Sequence, residues 1–342
     1  DVSIATPLTK YSVQVTDGNR IAEFVRRAYT IATTGYPGPV HISIPVDIMF
    51  SSFDESVGKL ERPFFGLSLK APRAYPDPND FDALFEKIFE AKNPIFIGGH
   101  GVWWAGAEES MGEVAVELGI PVFNVPYHQK LLDENNGSYM GLADIHQYPP
   151  SKNAFNESDL VILVGGRLDN QMNFGNPPLF PSSLHLICVN GSHEELQLNS
   201  SADSGLLSHP DVFFKMLRKK ASEKKWQYRG EWFERNRFWR ASWVDEQLLD
   251  LEPQANLADQ GIEQIHPMQL ALDVQNQMSE SDWFIFDGGN THFWAEMAAN
   301  IAGWRGQKLA GILHPGSYSL LGVGVSFAIS AKRMNPEGVV IY

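Results

Sequence analysis

The middle of the chain contains four short apolar runs rich in Val, Ile and Leu, and these runs limit the possible fold more than any other feature. The runs are Pro94–Gly98, Pro121–Val125, Asp159–Gly165 and Leu184–Val189. The segments between them, such as residues 105–118, have the periodicity of helices. A strand that is apolar throughout must be covered on both faces, which is typical of a parallel sheet between helices. The sequence therefore predicts an α/β fold with a Rossmann-like parallel-sheet domain over residues 81–215.

The flanking segments have different patterns. Residues 1–50 have the pattern of the end of another domain, with a helix from about Gly18 to Thr33 and a strand at Val40–Ile44. Residues 51–80, rich in Ser, Pro and Asp, are typical of a linker. Residues 216–265 carry many charges and four tryptophans, and we interpret them as a helical connector over the surface. A second α/β unit follows at residues 266–342.

Charge and cysteine content exclude several classes of function. The 342 residues include 27 basic and 41 acidic side chains, for a net charge of −14. This balance argues against binding to nucleic acid or an anionic membrane, because both need clustered Lys and Arg. The single cysteine, Cys188, cannot form an internal disulfide. We therefore expect a reducing, cytoplasmic location, and no apolar run is long enough to span a bilayer.

The last sixty residues have the pattern of a ligand site at the edge of a parallel sheet. The apolar run Asp282–Asp287 leads into a glycine turn and a helix, and the segment 314–324 ends in a second glycine-rich helix start. His292 follows a strand and His314 precedes a helix, which are the positions where α/β sheets present reactive groups. Both histidines are candidate catalytic residues. The chain stops within the apolar run Gly338–Tyr342, so we expect it to be part of a longer protein.

A second candidate site lies in the central domain. The turn Gly98-Gly-His-Gly101 follows a strand, and Arg167 follows another strand at the same predicted edge. These groups are able to hold a phosphate, but a tight turn and a structural arginine explain them equally well. The dinucleotide spacing G-x-G-x-x-G is absent. The ten histidines show no metal-ligand spacing, so we predict no protein-ligated metal within these residues.

Taken together, these segments resemble the thiamine-diphosphate-dependent enzymes of the acetolactate synthase, benzaldehyde lyase and 2-hydroxyacyl-CoA lyase type. The resemblance rests on Gly35-Tyr-Pro-Gly-Pro-Val-His-Ile-Ser-Ile-Pro-Val-Asp47, on Gly289-Asn-Thr291 and on Leu321-Gly-Val-Gly324. It covers nearly the whole chain in the family's order. It implies the end of a pyrimidine-binding domain, a central domain and the truncated beginning of a diphosphate-binding domain.

The resemblance also implies cofactor-binding positions. They are Gly289, Asn290, Thr291, His292, Ser319, Leu321 and Gly322. Asn290, Thr291 and His292 would lie beside the diphosphate and the substrate. Leu321 matches the apolar residue that bends the cofactor, and Ser319 would offer its main-chain carbonyl to the aminopyrimidine. The catalytic glutamate and the Mg²⁺ ligands are expected before Asp1 and after Tyr342.

In relatives that hold a second nucleotide, FAD or ADP, four positions of the central domain match its binding site. They are Gly98, Gly99, Gly101 and Arg167. The resemblance alone leaves open whether this chain is a flavoprotein. The family also implies a homodimer or homotetramer with the cofactor between subunits.

The implied activity is a carboligase or lyase reaction next to a carbonyl of a 2-oxo acid or 2-hydroxy carbonyl compound. Thiamine diphosphate would supply the electron sink for it. A 2-hydroxyacyl-CoA lyase or oxalyl-CoA decarboxylase is the nearest alternative. A non-catalytic nucleotide-binding or regulatory module is an alternative of another class.

Overall fold

A computed structural model describes residues 1–52, 73–126, 131–132, 136–146, 148–258 and 265–342. The chain forms two compact units, Asp1–Ala74 and Tyr75–Tyr342. Most of the predicted linker, residues 53–72, lies outside the described residues. The end of that linker, however, is helical, because Asp77 caps a helix that begins at Pro78.

The first unit is a small parallel pair of strands with a crossing helix. Its elements are α1 (Val2–Ala5), β1 (Tyr11–Gln14), α2 (Ile21–Thr33), β2 (Val40–Ser43) and α3 (Val46–Met49). β1 pairs with β2 in parallel, with Tyr11 opposite Val40. The carboxylate of Asp17 accepts the N–H of Asn19 at 3.0 Å and so starts the helical segment. The predicted helix and strand are confirmed, whereas β1 was not expected.

The second unit is built on a six-stranded parallel sheet. Its strands are β3 (Pro94–Gly98), β4 (Val122–Asn124), β5 (Tyr139–Leu142), β6 (Leu160–Val164), β7 (His185–Asn190) and β8 (Ser204–Leu207). They are ordered β5-β4-β3-β6-β7-β8, so the order in which strands are added reverses at β3, where β6 joins on the other side. The parallel α/β prediction is confirmed. Such a reversal leaves a crevice at the carboxyl ends of the two central strands.

Helices cover both faces of this sheet, as the apolar strands require. They are α4 (Pro78–Glu90), α5 (His100–Trp104), α6 (Glu108–Leu118), α7 (Pro149–Glu157), α8 (His193–Leu198) and α9 (Pro210–Glu223). Alternate residues of β3 belong to opposite cores: Ile95 and Ile97 to one, Phe96 to the other. The helix predicted over residues 105–118 is present but begins at Glu108, because Gly106 adopts φ +58° in the turn before it.

The predicted surface connector is in part a core helix. α10 spans Gly230–Ala258, and Trp232 and Trp243 are buried against the same side of the sheet as Ile95. The indole N–H of Trp232 donates to the Pro94 carbonyl at 2.9 Å. The expectation of a helix holds, but its tryptophans pack inward rather than covering the surface. No helix in the described ranges is both long and apolar enough to cross a bilayer.

The end of the chain adds a small parallel sheet within the same unit. Its elements are α11 (Pro267–Asn276), β9 (Trp283–Ile285), α12 (Asn290–Trp304), β10 (Gly311–Leu313), α13 (Gly324–Met334) and β11 (Val340–Ile341). The strand order is β10-β9-β11. The chain therefore moves to one side of β9 and then to the other. The loops after β9 and β10 meet at the carboxyl edge, where open α/β sheets bind ligands.

Candidate functional site

Two loops at the carboxyl edge of the small sheet are in direct main-chain contact. Gly288 donates its N–H to the Leu320 carbonyl at 3.3 Å, and Gly289 donates to Ser319 Oγ at 3.1 Å. A Cβ atom on residue 288 would lie 2.0 Å from the Ser319 carbonyl oxygen, so only glycine fits there. Ser319 itself adopts a left-handed conformation with φ 48°. The two loops therefore form one structure, which we call the paired loops (residues 287–291 and 319–324).

Asp287 holds the paired loops together, although it was not among the predicted site residues. Its carboxylate accepts the N–H of Gly322 at 2.7 Å, the N–H of Gly324 at 2.9 Å and the hydroxyl of Tyr342 at 2.9 Å. The Gly322 N–H is the main cause that holds the pKa of this carboxyl below its usual value. The sequence signal that could have identified Asp287 is an acidic residue directly before the glycine pair at the end of a strand.

Leu321 stands exposed beside the glycine loop. Its side chain is 75% exposed, and its Cδ2 lies 3.7 Å from the position of a Cβ on Gly289. Gly322 adopts φ +87°, and a Cβ added there would meet nothing within 4 Å, so the chain is able to turn directly after Leu321. The structure brings Leu321 and the 289–291 segment together. An apolar side chain is thus presented to a ligand next to a polar loop.

The polar part of this site is the N-terminus of α12. Gly289 precedes the helix with φ +75°, and Asn290 and Thr291 are exposed on its first turn. The helix has 15 residues, and its first N–H groups and dipole favour an anion. A phosphate group would therefore fit beside Leu321.

His292 lies differently from the expectation. Its side chain is fully buried, with its ring centroid 5.2 Å from that of Phe286 and 4.7 Å from that of His314. Its Nε2 lies 3.5 Å from a carboxylate oxygen of Glu296, one turn further along α12. His292 is the third residue of α12 and faces inward. It is therefore able to influence a ligand only through its neighbours.

His314 is the accessible member of this histidine pair. It is half-buried directly after β10 and lines a cavity of about 320 Å³. Its Nδ1 accepts the N–H of Gly316 at 3.2 Å, which places the proton of the neutral ring on Nε2. Its ring stacks on Phe286 at 5.5 Å. These contacts orient an Nε2–H donor.

The glycine turn of the central sheet has a packing role. The N–H of Gly99 donates to the Val164 carbonyl at 2.9 Å, and that of Gly101 to the Gly165 carbonyl at 2.8 Å. A Cβ on Gly98 would lie 2.4 Å from a Leu131 methyl group, and one on Gly99 would lie 2.4 Å from the Gly166 Cα. These contacts explain the glycines without a bound phosphate.

Arg167 lies near this turn but is committed to a protein partner. Its guanidinium makes two hydrogen bonds to the Glu195 carboxylate, at 2.5 and 2.6 Å. The Glu195 side chain is 6% exposed whereas that of Arg167 is 47% exposed. Glu195, which lies on α8, was not predicted from the sequence. A structural role for Arg167 is therefore supported by a specific partner, Glu195.

Comparisons with known proteins agree with this architecture. Residues 81–217 match the family described as thiamine pyrophosphate enzyme, central domain. The acetolactate synthase large subunit of Cyanidium caldarium is 24% identical over 343 residues, covering 99% of this chain and 55% of that protein. The human 2-hydroxyacyl-CoA lyase 1 is 24% identical over 324 residues, covering 94% of this chain and 52% of that protein. The chain therefore spans about half the length of these two relatives.

A solved structure has the same fold. It comes from Mycobacterium smegmatis and is provisionally described as a thiamin diphosphate-dependent enzyme. It superposes with a TM-score of 0.69 at 16% identity, over 99% of this chain and 60% of the other.

Proposed function

Because this chain belongs to the thiamine-diphosphate-dependent enzyme superfamily, we propose that its protein makes or breaks a carbon–carbon bond next to a carbonyl group. The observation that carries the proposal is the pairing of an exposed leucine with a helix N-terminus. Leu321 and Gly289 lie side by side at the start of α12. This arrangement supports a ligand with an apolar ring system and an anionic tail.

The described residues fit thiamine diphosphate at that position. Asn290 and Thr291 at the start of α12 would hold the diphosphate, and Leu321 would contact the rings. Ser319 and Gly322 would shape the loop beneath them. When bound, thiamine diphosphate supplies an electron sink for cleaving or forming the bond. Mg²⁺ is proposed as the counter-ion of that diphosphate.

His314 is the side chain that we assign to the substrate. Its Nε2–H would donate to the oxygen on which negative charge develops, and such preorganised donors stabilise that charge strongly. His292 and Glu296 would keep the His314 ring in place through the contact between the two rings. His292 therefore acts in this proposal as a positioning residue.

The substrate class has two candidates. A 2-oxo acid or 2-hydroxy carbonyl compound is the first, and a 2-hydroxyacyl-CoA thioester is the second. The second is kept because the human 2-hydroxyacyl-CoA lyase 1 matches 94% of this chain. A second nucleotide is a weaker proposal, since the Gly99 and Gly101 N–H groups and Arg167 already have protein partners. We further propose a homodimer or homotetramer in the cytoplasm.

The test uses the full-length protein with thiamine diphosphate and Mg²⁺. It is offered 2-oxobutanoate, benzoin and a 2-hydroxyacyl-CoA separately, and the products are followed by mass spectrometry. The proposal expects cofactor-dependent turnover of at least one of them and a large loss in the His314→Ala variant. Saturable cofactor binding without turnover of any compound would favour the non-catalytic alternative.

A further inference from the structure

Tyr342 lies against the start of α13 at the carboxyl edge of the small sheet. It directly follows β11, which pairs with β9, the strand that leads into the paired loops. A Cβ added to Gly324 would lie 2.0 Å from Cε2 and 2.6 Å from Cδ2 of the Tyr342 ring. The first residue of α13 therefore lacks a side chain at the place that this ring occupies.

The hydroxyl of Tyr342 completes the hydrogen bonds of Asp287. It donates to Oδ2 of that carboxylate at 2.9 Å, and the same oxygen accepts the Gly322 N–H at 2.7 Å. The other oxygen, Oδ1, accepts the Gly324 N–H at 2.9 Å. Hydrogen bonds to an ionised carboxylate are stronger than those between neutral groups. The three donors together hold the carboxylate in one orientation.

These hydrogen bonds hold the turn that presents Leu321. Gly322 has φ +87° and a Cβ there would meet nothing within 4 Å, and Leu321 is largely exposed. Packing therefore contributes little to the conformation of this turn, and the bonds to Asp287 fix it. Asn290 and Thr291, by contrast, belong to the first turn of α12, which holds them without the 322–324 turn. The apolar and the polar parts of the site thus have separate supports.

We infer that Tyr342 is a positioning residue for the ring end of the cofactor. The inference rests on the proposed function, in which Leu321 contacts the rings and the start of α12 holds the diphosphate. The Tyr342 hydroxyl orients Asp287, which in turn holds the turn after Leu321. Loss of the hydroxyl then weakens the binding of the rings and leaves the binding of the diphosphate group unchanged.

Thiamine diphosphate and inorganic pyrophosphate test this inference, because only the first contains rings. Their affinities for the full-length protein, each with Mg²⁺, are measured by calorimetry. In the Tyr342→Phe variant we expect the Kd of thiamine diphosphate to rise about three- to tenfold, the effect of one hydrogen bond. The Kd of pyrophosphate should stay within about twofold of the parent value, since the start of α12 is unchanged. Tyr228→Phe is the matched control, because Tyr228 is 53% exposed and Tyr342 is 55% exposed, and it should bind both compounds like the parent.

Gly324→Ala perturbs the same contact from the other side. The added Cβ must displace the Tyr342 ring, because real Cβ contacts essentially never fall below 3.0 Å. We expect this variant to weaken the binding of thiamine diphosphate at least as much as Tyr342→Phe does. The double variant should then bind at most about twofold more weakly than Gly324→Ala, since the hydroxyl contact is already lost.

Each outcome decides the matter in one direction. An unchanged affinity of Tyr342→Phe for thiamine diphosphate, an equal loss for pyrophosphate, or additive effects of the two substitutions would overturn the inference and leave the proposed function in place. A parent protein that binds thiamine diphosphate but no pyrophosphate would contradict the separate supports. A parent protein that binds no thiamine diphosphate would overturn the proposed function and, with it, the role of Tyr342.

Discussion

Gly288→Ala tests the contact between the paired loops. A Cβ at this position would lie 2.0 Å from the Ser319 carbonyl oxygen and 2.4 Å from its carbon, whereas real Cβ contacts essentially never fall below 3.0 Å. The difference, 3.0 − 2.0, means that the main chains must separate by about 1 Å. Neither side can yield by a side-chain rotation, because the contact is with main-chain atoms. Overpacking of this kind costs about 1–3 kcal/mol.

We expect this cost to appear mainly in cofactor binding, because the paired loops are at the surface and able to open locally. If the cofactor binds only the closed arrangement, its apparent Kd rises about 5- to 150-fold. Calorimetric titration of the full-length protein with thiamine diphosphate and Mg²⁺ measures this. Gly137→Ala is the control, since a Cβ there meets nothing within 4 Å. A Gly288→Ala variant that binds thiamine diphosphate within twofold of the parent would show that the paired loops need not be closed for binding.

Three further predictions concern single side chains. Burial raises the pKa of the Cys188 thiol to about 12, whereas the thiol of the unfolded chain has its ordinary pKa of about 8.5. Between these two values the unfolded thiol ionises and the buried thiol does not. Stability should therefore fall as pH rises above about 8.5, by about 1–2 kcal/mol at pH 10. In urea unfolding, the Cys188→Ala variant should not show this loss of stability at high pH. An equal pH dependence of the free energy of unfolding in both proteins would contradict the burial of the thiol. The lowered pKa of Asp287 means that its ionised carboxylate stabilises the paired loops fully above the ordinary aspartate pKa. This stabilisation is lost as pH falls through the lowered value. Asp287→Asn should weaken thiamine diphosphate binding at pH 7 and remove that acid dependence, as calorimetry at several pH values would show; unchanged affinity would argue against its role. Arg167→Leu should lower the free energy of unfolding by about 1–3 kcal/mol, because Glu195 loses its buried partner. If the variant instead keeps its stability in urea and loses nucleotide binding, Arg167 serves a ligand.

The sequence predicts most of the central sheet because its inner strands are apolar on both faces. β3, β6 and β7 are fully or almost fully buried, and such runs are visible without a structure. β5 and β8 were missed since each has four residues and contains a glycine. Gly141 even adopts φ +117° within β5. Short strands of this kind are held by their neighbours rather than by their own propensity.

The candidate site was predictable in position but not in orientation. The glycine turns after the strands located the paired loops, and Leu321 lies beside Gly289 in them; its role toward a cofactor stays a prediction. The burial of His292 could not be read from its position after a strand, because the inward face of α12 depends on packing against Phe286 and His314. Asp287 and Glu195 likewise act through partners 35 or 28 residues away.

A crystal structure of the full-length protein with thiamine diphosphate and Mg²⁺ would show whether the cofactor binds at the paired loops. We expect the diphosphate within hydrogen-bond distance of residues 290–291 and the ring system in contact with Leu321. A cofactor bound at the Gly98–Gly101 turn, or one that leaves Leu321 without contact, would contradict this expectation.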